Sequence, residues 1–573
     1  MSHSSKDVRF TEQSETIEIH LPDGRTVSGP RGAEVRDFLS ILPEDEKCLI
    51  VGAIVNSELH ELTYPVFMES QIKPLTMATA DGARIYRRSL TFLLEAAFDD
   101  LFPGAELAID HSVASGGFYC QVFNREPLSL RDLDELEAHI RSMVEKDLPF
   151  ERQQVPLKEA IEYFKATGHT DKVHLLNYRQ KEFLVLYKLA NHRDYHHGYL
   201  VPSTGYLKWF GLIKMGDGFV IRYPRRYSPT EIQPMPAYPK LLAAFRQYGN
   251  WLNRLGIESV GALNDAIRDG KIREVVLVSE ALHEQRIAEI AAQIAARRDE
   301  IRVVLISGPS SSGKTTFSKR LSVQLLSQGI SPYPLEMDNY FVDREQTPKD
   351  KDGNYDYEAF EALNRPELNQ HLRQMIAGEK VQLPKYNFKL GKSEPGEIVQ
   401  LNGQLIILEG IHGLNPDLIP DIPAEQTFRI YVSALTQLNL DRHNRISTTD
   451  TRLIRRIVRD ARERGYNAQQ TINRWESVKK GEKDHIFPYQ ENADTFFNSA
   501  LAYELSALKP LVEPLLRQVP YGTPEYIEAK RLMAFLDWFL PVESDLIPDN
   551  SLLREFVGHS ILADFKLWQG KLE

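Results

Sequence analysis

Cysteine is scarce in this chain. Among 573 residues only Cys48 and Cys120 occur; two thiols cannot make a disulfide framework or a cysteine-rich zinc site, and both read as core residues in a reducing compartment. Long apolar runs are missing too. Nothing approaches the ~18 residues that a membrane span needs, and the opening MSHSSKDVRFTEQ has no apolar signal core. The expectation is a cytoplasmic protein without a membrane partner. Net positive charge is also lacking: 69 Lys and Arg face 80 Asp and Glu, a formal net charge of -11. That argues against a surface that grips nucleic acid throughout, while leaving room for a local basic patch. Repeats and low-complexity tracts are absent. What is present, 42% hydrophobic and 26% charged residues, suits a globular chain of roughly three or four domains.

Local patterns divide the chain into five segments. Residues 1–80 read as a small β-rich module, with a hairpin around Asp23-Gly24 and two strand-like runs meeting at Asn56 and Ser57. Residues 81–230 alternate amphipathic helices with strands such as GFYCQVF and GFVIRYP; one helix is entered through a cap at Ser129 and Asp132. The proline-rich SPTEIQPMPAYPK closes this region. A helical connector over 231–300 leads into an α/β unit at 301–505, a parallel sheet flanked by helices, and a helical tail fills 506–573.

The α/β unit carries the densest chemistry. GPSSSGKTT, residues Gly308, Pro309, Ser310, Ser311, Ser312, Gly313, Lys314, Thr315 and Thr316, follows the β-branched run IRVVLIS. It precedes a helix with Phe317, Leu321 and Leu325 on one face. Strand, glycine-rich turn and helix in that order make a phosphate cradle. Its N–H groups and helix N-terminus attract a triphosphate, Lys314 meets the β/γ oxygens and Thr315 ligates Mg²⁺. Glu409, ending the apolar strand QLIILEG, supplies a carboxylate for that metal rather than a mere turn cap. Asp338 in PLEMDNYF follows another strand and is placed to orient or deprotonate an acceptor hydroxyl. In TRLIRRIVRDARERG, Leu453, Ile454, Ile457, Val458 and Ala461 share a helix face opposite Arg452, Arg455, Arg456, Arg459 and Arg462. This comb of arginines suits a lid over transferring phosphates; by composition alone it would read as a solvated basic face or an RNA contact.

The series GPSSSGKTT, MDNYF, NYDYEAF, LPKYNF, ILEGIHGL and RRIVRDARERG resembles the uridine kinase and phosphoribulokinase family over about 200 residues. The resemblance implies ATP with Mg²⁺ as donor, Asp338 as catalytic base, and lid arginines at Arg456, Arg459 and Arg464. It also implies Asp356 on ribose hydroxyls and Tyr386 beside a small-molecule acceptor, a nucleoside or sugar phosphate. Homo-oligomers are common in that family. Departures occur where uridine kinases read the base: Gly391 stands at the histidine position, Tyr466 at the arginine position, and Asn387 replaces a loop aspartate. Phosphoryl transfer is therefore better supported than uridine as its acceptor.

IEIHLPDGRTVSGP with VNSELHEL resembles a TGS domain of β-grasp fold. The segment that follows resembles the second, editing-type domain of threonyl-tRNA synthetase, which implies an RNA or tRNA contact. The His-x-x-x-His and Cys-x-x-x-His pairs of that domain are replaced by Arg88 and Phe92 and by His196 and Leu200, so metal-dependent hydrolysis is not expected there. His192, His196 and His197, interrupted by Arg193, Asp194 and Tyr195 next to Gly198, read as a surface histidine group in a loop. One alternative reading of the whole chain is an RNA- or ribosome-associated protein in which nucleotide turnover is only a switch.

Overall fold

A three-residue loop, Pro22-Asp23-Gly24, with Gly24 at φ +86° folds the strand Thr16–His20 back on Thr26–Pro30, and Asp23 accepts the N–H of Arg25 to close it. The computed structural model describes residues 13–43, 49–113, 115–349, 353–436 and 438–565; Cys48 lies outside them, and Cys120 is buried. Two units emerge. The first comprises the described residues up to Ala160 with Lys181–Met235 and Tyr521–Ile527, and the second comprises Ile161–Gln180, Pro236–Pro520 and the described residues from Glu528 onward.

In the first unit the hairpin joins a five-stranded mixed sheet with Ser70–Thr76, Ile50–Val55 and Glu58–His60. Asn56 and Ser57 turn the last pair of strands with φ of 47° and 70°. The long helix Ala80–Leu101, capped by the Thr79 hydroxyl, buries Phe92, Leu93, Leu94 and Phe98. Ser129 and Asp132 form a reciprocal capping box on the helix Leu130–Glu145. A four-stranded antiparallel sheet contains both Gly117–Phe123 and Gly218–Arg222, and a three-stranded one ends in His192–Asp194. His192 lies in the strand and His196 and His197 in the loop after it, but the group is not a surface one: the side chains of His192 and His196 are only 8% and 4% exposed. The long helix and the strand His192–Asp194 pack against each other, a tertiary contact that three polar letters in a row do not announce.

The second unit is an α/β domain. Its main sheet has five strands, all parallel, in the order Pro332–Glu336, Leu405–Glu409, Val303–Ser307, Thr427–Ser433, Thr495–Asn498, and a separate antiparallel pair joins Lys380–Asn387 to Lys392–Gln400. The central strand Val303–Ser307 is buried along its whole length, as its unbroken apolar run requires of a strand covered on both faces. Phe317, Leu321 and Leu325 of the helix Lys314–Ser327 are wholly buried. Among the described residues no helix is long and apolar enough to cross a membrane.

Candidate active site

The phosphate cradle is built by local backbone geometry. A Cβ on Gly308 would collide with the carbonyl oxygen of Val432, so only glycine lets the turn leave the sheet there. Ser311 at φ 57° and Gly313 at φ 87° then bend the chain into the helix at Lys314. Ser311 is a non-glycine residue held in the left-handed region, a conformation that clusters at ligand sites. Lys314 Nζ folds back on the carbonyls of Gly308 and Pro309 (3.0 and 3.3 Å).

Two acids stand at the carboxyl ends of adjacent parallel strands, where open α/β sheets bind ligands. Thr315 donates its hydroxyl to Glu409 Oε1 at 2.9 Å. Burial raises the Glu409 carboxyl to about 7, against the opposing pull of Lys314 and of the Thr315 bond. Asp338 lies in the tight turn Met337–Tyr340 directly after Pro332–Glu336. Its side chain is open to solvent, yet the recess around it raises its pKa; Lys314 and Arg464 work the other way and Glu336 adds to the rise. Thr315 and Glu409 offer the hard oxygen donors that suit Mg²⁺.

Three further carboxylates border this cradle, and none was singled out from the sequence. Glu482 accepts the N–H of Ser310 (3.0 Å) and holds Arg452 in a two-pronged, fully buried pair (2.7 and 2.6 Å). Glu358 approaches it closely because the neighbouring residue is Gly481, where a Cβ would strike Glu358. Burial, then the negative charge of Glu482, raises Glu358 to about 7. Glu555, from the tail, accepts both the N–H and the hydroxyl of Thr316 at 3.3 and 3.1 Å. Glu358 lies inside NYDYEAF and was open to notice; Glu482 and Glu555 reach the site only through tertiary packing.

The tail is tied down by several contacts. Leu552 packs where a side chain on Gly313 would go, Ser551 donates to buried Glu280, and Lys319 donates to the carbonyls of Leu562 and Ala563. Arg462 reaches the carbonyls of Glu555 and Phe556.

The arginine helix, Thr448–Arg459, departs from the two-faced reading. Arg452 and Arg455 are 2% and 0% exposed, as buried as the apolar face opposite them. Each has an acid partner, Arg452 in Glu482 and Arg455 in Glu504, and such pairing is what allows a guanidinium to be buried. Arg456 and Arg459 point at the cradle instead: Arg456 donates to the Ser310 hydroxyl (2.7 Å) and Arg459 to the Ser311 hydroxyl (3.2 Å). Arg459 also pairs with Glu555 at 3.4 Å. Arg464, about half exposed, pairs with Asp460 at 3.2 Å.

An aromatic wall flanks Asp338. Asn339 Oδ1 accepts the N–H of Tyr386 (3.3 Å), and the Tyr386 ring packs edge-on against Phe341 and Phe388. Tyr355, Tyr357 and Phe388 keep large exposed surfaces. Asp356 accepts the N–H of Glu358 at 3.1 Å. Gly391, at φ 71° in the turn after Lys380–Asn387, is covered by the Arg344 side chain, which donates to the Phe388 carbonyl and the Tyr357 hydroxyl. Tyr466 is stacked under Arg474.

With cradle, strand-end acids and arginine helix in one domain, residues 303–505 match the Phosphoribulokinase / Uridine kinase family. This segment is a domain of that family. Two solved structures resemble the chain. "Structure of a Possible Uridine Kinase from Bacillus stearothermophilus" is 22% identical, covering 37% of this chain and 97% of that one with a TM-score of 0.26. D-glycerate 3-kinase from Cryptococcus neoformans is 16% identical, covering 46% and 89% with a TM-score of 0.22.

The N-terminal region is similar to threonine–tRNA ligases. That of Laribacter hongkongensis is 31% identical over 202 residues and that of Acidovorax sp. 33% over 207 residues, each match covering 35% of this chain. The chain spans about a third (32%) of the length of these ligases. At the four positions where the editing-type domain carries its ligand pairs, Arg88 donates to the Tyr199 carbonyl, Phe92 and Leu200 are buried, and His196 faces Glu95.

Proposed function

We propose that the uridine kinase-like domain is an ATP- and Mg²⁺-dependent phosphotransferase that moves the γ-phosphoryl group to an alcohol of a small molecule. The observation that carries this reading is the placement of Asp338 and the Thr315–Glu409 contact at the ends of neighbouring parallel strands. The exposed aromatic surfaces of Tyr355, Tyr357 and Phe388 favour a nucleoside, because a planar base stacks on such faces. With Gly391 and Tyr466 in place of base-reading side chains, selection among bases is expected to be loose. A sugar phosphate is the second acceptor class.

In the proposed mechanism Asp338 accepts the proton of the acceptor hydroxyl as its oxygen attacks the γ-phosphorus and the bond to the β-phosphate oxygen breaks. Desolvation in the recess raises its pKa, which makes it a stronger base than an aspartate of ordinary pKa. Lys314 turns from the carbonyls of Gly308 and Pro309 to the β/γ oxygens, and Arg456, Arg459 and Arg464 compensate the charge that builds on the transferring group. Thr315 and Glu409 are the residues that would hold Mg²⁺, which would supply charge neutralisation when bound. Since Glu555 occupies donors at the first turn of the cradle helix, the phosphates compete with it for Thr316. An ATP-coupled screen of nucleosides and sugar phosphates tests the assignment. Acceptor-dependent ADP release supports it, and ADP release indifferent to every acceptor contradicts it.

The likeness of the first unit to threonine–tRNA ligases supports a second role, contact with tRNA or another RNA. Binding that weakens steeply between about 50 and 200 mM salt is the expected signature. Retention of the chain in the cytoplasm and assembly into homo-oligomers belong to the same proposal.

A further inference from the structure

Four ionisable side chains converge in the interior of the first unit. Glu95, in the middle of the helix Ala80–Leu101, is 1% exposed, and it faces His192 and Asp194 of the short strand and His196 just beyond it. The side chains of Asp194, His196 and His192 are similarly enclosed. Both imidazoles aim Nε2 at the same oxygen, Glu95 Oε2, from 3.5 Å for His192 and 3.2 Å for His196. Glu95, His192 and Asp194 offer ligand atoms all within 4.8 Å of one another.

We infer that this cluster is a binding site for a zinc-class divalent cation, with Glu95, His192, Asp194 and His196 as ligands. The spacing is the first argument. Bonds of 2.0–2.1 Å in a tetrahedral site place ligand atoms about 3.4 Å apart; the two imidazole-to-Glu95 separations, 3.5 and 3.2 Å, are of that size, the first being long for a hydrogen bond, and Asp194 lies within 4.8 Å of Glu95 and His192. His192 Nε2 has no hydrogen-bond partner although it is buried. Its other nitrogen, Nδ1, lies 2.8 Å from Asp99 Oδ2, the carboxylate–histidine relay that orients a metal-binding imidazole and raises its basicity.

Enclosure is the second argument. The edge of the Phe92 ring closes the pocket against both imidazoles, at 5.0 and 5.5 Å between centroids. Four protein ligands leave no open coordination position, so the site is structural and clips the helix to the strand. It does not reuse the ligand pattern of the editing-type domain: only His196 occupies one of those four positions.

The test uses the intact chain. Wild-type protein dialysed against Zn²⁺ in the presence of excess Mg²⁺, which satisfies the hard-oxygen site of the kinase domain without competing for imidazole, should retain one zinc per chain. Co²⁺ should give the visible absorption of a four-coordinate ion. Asp99→Asn, a change at a half-exposed position, should weaken zinc affinity about 10- to 100-fold. His192→Asn should remove the cobalt spectrum. Failure of the wild-type protein to retain zinc, release of zinc by Mg²⁺, or unaltered affinity in Asp99→Asn would each overturn the site. The wild-type measurements keep the inference falsifiable even if His192→Asn does not fold.

Discussion

Glu555 and Thr316 make a two-point contact in which one carboxylate oxygen accepts both the main-chain N–H and the side-chain hydroxyl of the second threonine in the cradle. An acid from the tail thereby takes up donors that suit a phosphate. Glu555→Gln keeps the shape and removes the negative charge. Nucleotide affinity is expected to rise about tenfold, the worth of roughly one charge-assisted hydrogen bond. Titration with a fluorescent ATP analogue checks this, and an unchanged or weaker affinity contradicts it.

Asp338→Asn should separate binding from chemistry. The amide cannot accept the acceptor's proton, so acceptor-dependent turnover is expected to fall by about 10²- to 10⁴-fold. ATP affinity should stay within a few-fold of wild type, because no phosphate donor is lost. Steady-state ADP release and equilibrium ATP binding, measured side by side, decide the matter.

Arg452→Leu should be costly to the fold. It strands Glu482 as an unpaired buried charge and disturbs the acceptor of the Ser310 N–H, a change expected to cost about 3–5 kcal/mol. Denaturant midpoints report it. Replacing the exposed Arg131, whose partner Glu135 is also exposed, should change stability by well under about 1 kcal/mol.

Glu358 predicts a dependence on pH with a definite sign. Its carboxyl is raised from 4.5 to about 7 in the folded, nucleotide-free chain, so the folded state holds a proton that the unfolded state has released between those values. Stability from this group is therefore full below 4.5 and declines as pH rises towards 7. Glu358→Gln should match wild type near pH 4.5 and exceed it at pH 8, by up to about 3 kcal/mol. Thermal melts at the two pH values test the difference; an equal gap at both contradicts it.

The parts legible in the sequence are those written in contiguous residues. The strand, glycine-rich turn and helix around Gly308–Thr315, the Asp23-Gly24 hairpin and the Ser129–Asp132 cap depend on neighbours a few positions apart. What stayed hidden depends on partners far away in the chain. Arg452 and Arg455 look like a solvated stripe until Glu482 and Glu504, 30 and 49 positions onward, are seen beside them. Glu555 lies 239 positions from Thr316. His192 and His196 read as a surface group because nothing nearby signals that the helix bearing Glu95 covers them.

The central claim is transfer of a phosphoryl group from ATP to a small alcohol, and following the label itself tests it most directly. With γ-³²P-ATP, Mg²⁺ and pooled nucleosides and sugar phosphates, the wild-type chain should place label in an acid-stable phosphate ester of one acceptor class. Label appearing solely as inorganic phosphate, with a rate that responds to RNA and to none of the acceptors, would contradict the account and favour a nucleotide-driven binding switch.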